Sequence, residues 1–223
     1  MQTNIGDLKQ TDASRVPEVT SLVFIVDDDI SIRQSLQLLI AQEGWQVETF
    51  ASAAVFMSRP RATVPCCLVL DLKLPGLSGL ELQQQLAVRT EMPIIFITRY
   101  GDVPTTVQAM KAGAFDFLTK PLDDDVVLAS IRYALERSRA ACLQESEMRS
   151  LRTRYAALTR REREVMALVV SGLLNKQVAG DLGISEITVK AHRGQVMRKM
   201  KADSLPDLVR MAARLGVRSS WTH

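Results

Sequence analysis

Three short apolar runs, at 22–26, 67–70 and 93–97, recur through the first half of this sequence, and amphipathic segments lie between them. Residues 22–26 are typical, because they are apolar at every position, as in a strand that is covered on both faces of a sheet. Strands that alternate with helices in this way indicate a parallel sheet. We therefore expect a doubly wound α/β domain. The predicted strands are 22–26, 47–50, 67–70, 93–97 and 115–118.

The segments between these strands carry helix signals. Residues 31–42 have apolar side chains at helical spacing, and residues 102–112 form a second segment of this kind that ends before a glycine. Ser52 and Ser78 are each suited to cap a further helix. Helices on both faces of the sheet follow from this alternation.

Polar residues follow four of the five predicted strands. Asp27 and Asp28 follow the first strand, Asp71 the third, Thr98 the fourth, and Lys120 lies just beyond the fifth. The carboxyl ends of parallel strands meet at one edge, where sites gather in open α/β sheets. Neighbouring carboxylates repel unless a cation joins them, and oxygen ligands favour Mg²⁺. Asp71 would then be free to act as a nucleophile that forms an acyl phosphate.

A structural role is the alternative for each of these residues taken alone. An aspartate after a strand is often a helix cap, and Asp28 or Asp29 could cap the helix that follows. A Lys-Pro pair is often only a turn. Together, however, the four strand ends carry an acid, a second acid, a hydroxyl and an ammonium in that order, which favours a functional site over separate structural roles.

Five motifs in this half resemble the receiver domain of response regulators. The resemblance spans about 100 residues, with the motifs in the family's order and spacing. They are V-D-D (26–28), D-L-K-L-P-G-L-S-G (71–79), I-T (97–98), K-A-G-A (111–114) and F-L-T-K-P (117–121).

The resemblance implies a flavodoxin-like fold in which a sensor histidine kinase phosphorylates Asp71. It also implies that Mg²⁺ is held by the carboxylates of Asp28 and Asp71 and by the backbone carbonyl of Lys73, with Asp27 assisting through water. Thr98 and Phe117 correspond to the receiver switch pair, and Lys120 to its conserved cation. The peptide bond before Pro121 is expected to be cis.

Arg99 departs from the family pattern. The position after the switch hydroxyl is normally small, but here an arginine stands there and Tyr100 follows it. Such a cation could contact the phosphoryl group, attract an acidic neighbour or narrow the access of water. We hypothesise that Arg99 changes the lifetime of the phosphorylated form; an arginine directed to solvent without a role is the alternative.

Residues 125–158 contain neither glycine nor proline and predict one long helix, whole or broken. Its apolar positions suggest a seam whose spacing slips near Glu145. A coiled coil and a linker that packs on its own domains are both compatible with this pattern. The seam positions are 128, 131, 135, 142, 148, 151, 155 and 158.

Charge divides the chain into two parts. Residues 151–223 carry a formal charge of +8 and residues 1–150 a charge of −5, which suggests a polyanion as partner of the second part. The first twenty residues lack the apolar core of a secretion signal, and no apolar run is long enough for a membrane span. Three cysteines at these positions favour neither a disulfide scaffold nor a zinc site. These features predict a cytoplasmic protein.

The last third predicts a helix-turn-helix. Thr159 and Glu162 form a capping-box pattern, and residues 175–182 form a short helix that ends at Gly183. Ser185 then caps a helix that runs to about residue 200, and Ser204 opens a fourth.

Four motifs in this part resemble the LuxR/FixJ-type DNA-binding domain. They are L-T-R-R-E-R-E-V (158–165), G-L-L-N-K-Q-V-A (172–179), L-G-I-S (182–185) and T-V-K-A-H (188–192). The resemblance implies base contacts from Lys190, Ala191 and Gly194 and phosphate contacts from Lys176 and Thr188. The cations Arg193 and Arg198 lie on the same helix, and Lys190 and Arg193 are expected to point outward.

The sequence therefore predicts a response-regulator transcription factor. Its partners would be a sensor histidine kinase, double-stranded DNA and a second copy of the chain on phosphorylation, with RNA polymerase as a further candidate and no membrane. It would be no enzyme beyond its own phosphotransfer and dephosphorylation. The predicted parts are an N-terminal extension (1–20), a receiver domain (21–138), a helical linker (139–157) and a LuxR-type domain (158–218).

Two other functions compete with this prediction. A hydrolase of the haloacid-dehalogenase type also uses an aspartyl nucleophile with Mg²⁺, but such enzymes carry D-x-D and Lys73 stands at the second aspartate. A DNA-binding protein whose receiver is never phosphorylated and acts only as a dimerisation module is the other. The complete set of acids argues against it, and Arg99 is the feature that favours it.

Overall fold

The computed structural model describes residues 21–87, 89–99 and 101–217. The predicted extension 1–20, Tyr100 and residue 218 lie outside the described residues. The chain divides into two compact units at residue 142. In the described part, none of the helices is both long enough and apolar enough to cross a bilayer.

The first unit contains a five-stranded sheet in which all pairs are parallel. The strand order β2-β1-β3-β4-β5 reverses direction at β1, as in a doubly wound sheet. This confirms the predicted flavodoxin-like fold class. The strands are β1 Leu22–Val26, β2 Gln46–Phe50, β3 Cys66–Asp71, β4 Ile94–Thr98 and β5 Asp116–Thr119.

Burial on both faces explains why the central strands are apolar throughout. Side chains alternate between two cores, so that Phe24 and Phe96 lie in one and Ile25 and Ile95 in the other. All residues of β1, β3 and β4 are buried. Each strand is therefore fixed in register by both faces.

Four helices connect the strands, and side-chain caps set where they begin. Asp29 caps α1 because its Oδ1 accepts from the backbone N of Ser31 at 2.9 Å, so the helix begins at Ile30, one residue before the prediction. Asp29 is thus the cap that the sequence left open between two aspartates. The helices are α1 Ile30–Gln42, α2 Ala53–Met57, α3 Gly79–Leu86 and α4 Val103–Lys111.

The fourth and fifth strands each begin one residue later than predicted. Pro93 has no N–H to donate, and the ladder of β4 starts at Ile94. As a result Thr98 is the last residue of β4 and pairs with Thr119, directly before Lys120. The shift brings the hydroxyl and the ammonium to the same edge.

A single helix, α5 (Asp124–Ala156), replaces the predicted helix 125–158. It ends two residues early because Thr159 already caps the next helix. Ile131 and Leu135 are buried in the first unit, and Leu151 and Leu158 are buried in the second. The apolar positions thus pack within their own units, which is the second of the two alternatives given for this segment.

The second unit is all-helical. Its two cores join α6 to the later helices through Val165, Val178 and Val189 on one side and through Met166 and Met200 on the other. Gly183 has φ 64° between α7 and α8, a conformation that favours glycine and allows the tight turn. The helices are α6 Arg160–Val170, α7 Asn175–Leu182, α8 Glu186–Met200 and α9 Leu205–Leu215. The predicted helix-turn-helix is confirmed.

Glu162 connects the start of α6 to α8, and we expect Glu162→Gln to destabilise the chain by about 1–2 kcal/mol at pH 7. Its side chain is 6% exposed and pairs with Lys199 at 2.7 Å, and this hydrogen bond lowers the pKa of Glu162 below 4.5. Such a carboxyl stabilises the fold above that pH and loses the effect as the pH falls below it. The deficit should therefore shrink as the pH is lowered from 4.5 through the folded-state pKa of Glu162, measured by urea unfolding followed by circular dichroism.

The control for that measurement is Thr159→Ala, which removes the cap that Thr159 Oγ1 provides for the backbone N of Glu162. Its cost, about 1 kcal/mol, involves no titrating group of its own. A Glu162→Gln deficit that did not shrink at any pH below 4.5 at which the chain stays folded would contradict the assigned ion pair.

The three cysteines should differ sharply in reactivity. Cys66 and Cys67 are buried at the start of β3, and burial raises the pKa of the Cys66 thiol to about 12. At pH 8 its thiolate fraction is then about 10⁻⁴. Cys142 is only half-buried. We expect one thiol to react with a disulfide reagent in the folded chain and all three after unfolding, with Cys142→Ser removing the early reaction.

Candidate phosphoryl-transfer site and nucleic-acid interface

The carboxyl edge of the sheet carries an acidic cavity of about 220 Å³. The predicted strand-end residues meet there, because β1, β3, β4 and β5 all end at this edge. Eight residues line the cavity: Asp27, Asp28, Asp29, Asp71, Lys73, Thr98, Arg99 and Lys120.

The ammonium of Lys120 lies between two carboxylates. Its Nζ is 2.7 Å from Oδ2 of Asp27 and 3.0 Å from Oδ1 of Asp71. The three side chains are no more than 8% exposed, so the pairing is screened little by solvent. Residues far apart in the sequence are thus held together by a buried charge network.

Burial governs the ionisation of this network. It raises the pKa of Asp71, an effect that the hydrogen bond and charge of Lys120 offset in part. Burial alone would lower the pKa of Lys120, but its hydrogen bonds to Asp27 and Asp71 raise the value above 10.5. Lys120 is therefore cationic at neutral pH. Asp71 is a more basic carboxylate than an exposed aspartate, which favours it as a nucleophile.

The donor set of the cavity fits a hard divalent cation. Asp27, Asp28 and Asp71 each offer a carboxylate oxygen, and these oxygens lie within 4.8 Å of one another. The single ammonium of Lys120 does not neutralise three carboxylates, so net negative charge remains among these oxygens. Oxygen ligands with excess negative charge are those that Mg²⁺ prefers.

The loop after β3 holds Asp71 closely. The backbone N of Lys73 donates to Oδ2 of Asp71 at 3.0 Å. Gly79, at the start of α3, passes so near that a Cβ there would lie 2.6 Å from the backbone O of Asp71. Only glycine fits this approach, which accounts for the L-S-G sequence at the end of the motif.

The residues predicted as the switch lie beside the cavity. Thr98 is buried, and its carbonyl oxygen accepts from the backbone N of Lys120 at 2.7 Å. Phe117 is half-buried, with its ring centroid 6.2 Å from that of Phe96. The peptide bond between Lys120 and Pro121 is cis, as the resemblance implied.

The predicted DNA contacts on α8 share an exposed face. Lys190, Ala191, Gly194 and Arg198 lie at helical spacing on this face, and all four are exposed. Lys190 pairs with Glu186 at 3.3 Å on the same exposed surface. Buried residues such as Val189, Val196 and Met200 form the opposite face. The helix therefore presents one cationic surface to a partner.

Three further predicted contacts lie around this face. Lys176 is exposed in the first turn of α7. Thr188 is half-buried, and its Oγ1 lies 2.8 Å from Oγ of Ser185. Arg193 differs from the expectation that it points outward: it is half-buried, because its Nη1 donates to Oδ1 of Asn175 at 3.2 Å. Position 193 is three residues after the exposed Lys190 and four after the buried Val189, so it lies at the border of the exposed face, where its side chain reaches α7.

Sequence reasoning missed two residues of these surfaces. Ile187 is 79% exposed and lies one turn before Lys190 on the face of α8 defined above. The signal was an apolar residue out of step with the buried positions 189, 196 and 200. Asp29 is the second, because its Oδ2 pairs with Nη2 of Arg99 at 2.7 Å. Attraction of an acidic neighbour was one of the three possibilities given for Arg99.

Comparison with known proteins places both units in described families. A model of response regulator receiver domains matches residues 23–132, and a model of the LuxR family of bacterial regulatory proteins matches residues 156–212. Nodulation protein W of Bradyrhizobium diazoefficiens is 48% identical over 203 residues, which cover 91% of this chain and 89% of that protein.

Further relatives give the same result. The transcriptional regulatory protein FixJ of Azorhizobium caulinodans is 47% identical over 199 residues, covering 87% of this chain and 93% of that protein. Among solved structures, the response regulator StyR superposes with a TM-score of 0.79 at 43% identity, covering 87% of this chain and 99% of that one.

Proposed function

Because this chain belongs to the response regulators that carry a LuxR-type DNA-binding domain, we propose that it is a transcription factor controlled by phosphorylation of Asp71. The observation that carries the proposal is the buried contact of Lys120 with Asp27 and Asp71 at the edge of the acidic cavity. It combines a nucleophile, a fixed cation and spare carboxylate oxygens.

The domains in this proposal are a receiver at 21–138, a linker at 139–157 and a DNA-binding domain at 158–218. The family matches at 23–132 and 156–212 support these bounds. We expect the protein to act in the cytoplasm, because the chromosome and the phosphorylated kinase domain meet there.

Phosphoryl transfer would use the residues of the cavity as follows. One oxygen of Asp71 bonds to the phosphorus of a phosphohistidine on a sensor kinase, while the phosphorus–nitrogen bond breaks and the histidine leaves with that electron pair. Lys120 pairs with a phosphoryl oxygen, and the hydroxyl of Thr98 donates to another. Beyond this transfer and the later hydrolysis, the chain catalyses no reaction.

The carboxylates of Asp27, Asp28 and Asp71 and the carbonyl of Lys73 would hold Mg²⁺. When bound, the ion neutralises charge on the phosphoryl oxygens. The fit rests on the three carboxylate oxygens that lie close together. Asp27 is completely buried, which suits a role behind the directly coordinating groups.

Coupling to DNA would start from Thr98 and Phe117. A phosphoryl group that draws the Thr98 hydroxyl toward Asp71 changes the space beside Phe117, and this shifts an existing equilibrium of the receiver. The favoured state would pair with a second copy, so that two DNA-binding domains meet two half-sites. RNA polymerase is the candidate partner at the promoter.

On DNA, α8 would enter the major groove. Lys190, Ala191 and Gly194 would meet base edges, since they lie at the centre of the exposed face. Four further residues would contact phosphates or adjacent bases and add a salt-dependent contribution to the DNA affinity: Lys176, Thr188, Arg193 and Arg198.

The test is to incubate the full chain with acetyl phosphate and Mg²⁺ and to measure mass, sedimentation and DNA binding together. The duplex is one selected from a random library by the chain itself. We expect a mass gain of one phosphoryl group, a shift toward dimer and tighter binding. A phosphorylated chain with unchanged DNA affinity would instead favour the receiver as a dimerisation module that needs no phosphorylation.

A further inference from the structure

An ion pair lies at the solvent side of the acidic cavity. Arg99 directly follows Thr98, and its Nη2 lies 2.7 Å from Oδ2 of Asp29. Both residues line the same cavity as Asp71 and Lys120. Because Arg99 is 62% exposed and Asp29 32% exposed, the pair lies where the cavity meets water.

The two oxygens of Asp29 have separate roles. Oδ1 accepts from the backbone N of Ser31 and caps α1, while Oδ2 pairs with Arg99. Both contacts lower the pKa of Asp29, the backbone hydrogen bond more than the charge of Arg99. Arg99 can therefore leave without uncapping the helix.

Leaving Asp29 costs the arginine little. Exposed ion pairs contribute little to stability, because water solvates both partners when they separate. A phosphoryl dianion is a stronger acceptor than one carboxylate, and a guanidinium can bind two of its oxygens at once. Lys120, which the proposed transfer already uses, is held beside Asp71 by its contacts with Asp27 and Asp71, and Arg99 would add a second cation from the solvent side of the cavity.

We propose that Arg99 binds the phosphoryl group on Asp71, exchanging Asp29 for it, and thereby prolongs the lifetime of the phosphorylated chain. The inference rests on the proposed function, since it requires that Asp71 be phosphorylated. Asp29 is then the resting partner that holds the arginine at the cavity.

Hydrolysis of the acyl phosphate explains the direction of the effect. Water bonds to phosphorus as the bond from phosphorus to the Asp71 oxygen breaks, and the products are the carboxylate and dihydrogen phosphate. Arg99 lies where the cavity meets water. A guanidinium held on the phosphoryl oxygens therefore covers the side from which water arrives and slows its attack on phosphorus.

The test compares the decay of phosphorylated wild type with that of Arg99→Ala, Asp29→Asn and the double variant. Asparagine keeps an oxygen for the α1 cap, so Asp29→Asn removes the ion pair without removing the arginine. We expect Arg99→Ala to shorten the half-life about five- to tenfold. Asp29→Asn should keep or lengthen it, and the double variant should match Arg99→Ala.

Beryllofluoride binding gives a second measurement that does not depend on hydrolysis. Its affinity should fall in Arg99→Ala, be partly restored in Arg99→Lys and rise in Asp29→Asn. An unchanged half-life in Arg99→Ala would overturn the inference. So would a half-life in Asp29→Asn as short as in Arg99→Ala, because the ion pair itself would then be what matters. If no variant and no wild type takes up a phosphoryl group, the proposed function fails instead.

Discussion

Asp71→Asn is expected to be phosphorylated by small phosphodonors at least 100-fold less than wild type. The increase in DNA affinity that phosphorylation causes should be lost with it. The amide cannot form the acyl phosphate, since its oxygen is a poor nucleophile. Asparagine has nearly the same shape, and its oxygen can still accept from the backbone N of Lys73. The fold and the basal DNA affinity should therefore remain.

The measurement is intact-protein mass after incubation with acetyl phosphate and Mg²⁺, together with binding to the selected duplex. Asp116→Asn is the matched control, because Asp116 lies at the opposite, amino end of β5, where its Oδ1 accepts from the backbone N of Phe117. It should behave as wild type. DNA binding that still tightens in Asp71→Asn would contradict control through this carboxylate.

The positions of the site residues could be predicted because strand ends are fixed by topology. Lys120 and Asp27 are 93 residues apart in the sequence, yet both follow strands of one parallel sheet, and such strands end at the same edge. Apolar runs indicated the three central strands β1, β3 and β4, which are buried throughout. The first and last residues of the strands were less certain. For example, β4 begins at Ile94 because the preceding proline has no N–H to donate.

Contacts made by long side chains could not be predicted in the same way. The sequence allowed Arg99 three different roles, and only the positions of the two loops show that Asp29 is within its reach. Arg193 was expected to point outward, but its direction depends on how α7 packs against α8. Which core takes each half of α5 was open for the same reason: periodicity shows an apolar face without showing its partner.

Lys190→Ala and Lys176→Ala are expected to weaken DNA binding in two different ways. Lys190 lies in the middle of the exposed face of α8, and a lysine that meets a guanine edge contributes about 1–3 kcal/mol of discrimination, which corresponds to roughly 5- to 150-fold in affinity. Lys176 lies in the first turn of α7, outside that helix. A lysine on phosphate supports all sequences equally and adds to the salt dependence.

We therefore expect Lys190→Ala to lower affinity for the selected duplex strongly, to change affinity for a scrambled duplex little, and to relax the preferred base at one position when the selection is repeated. Lys176→Ala should weaken both duplexes alike and reduce the slope of log affinity against log salt by about one. Glu186→Gln is the control, because it releases Lys190 from its exposed ion pair at 3.3 Å without removing it. It should bind as well as wild type or better. The two lysine variants could instead weaken both duplexes equally and change the salt dependence alike. In that case α8 would contact the DNA backbone and not the bases, and sequence selectivity would have to come from the shape of the DNA sites.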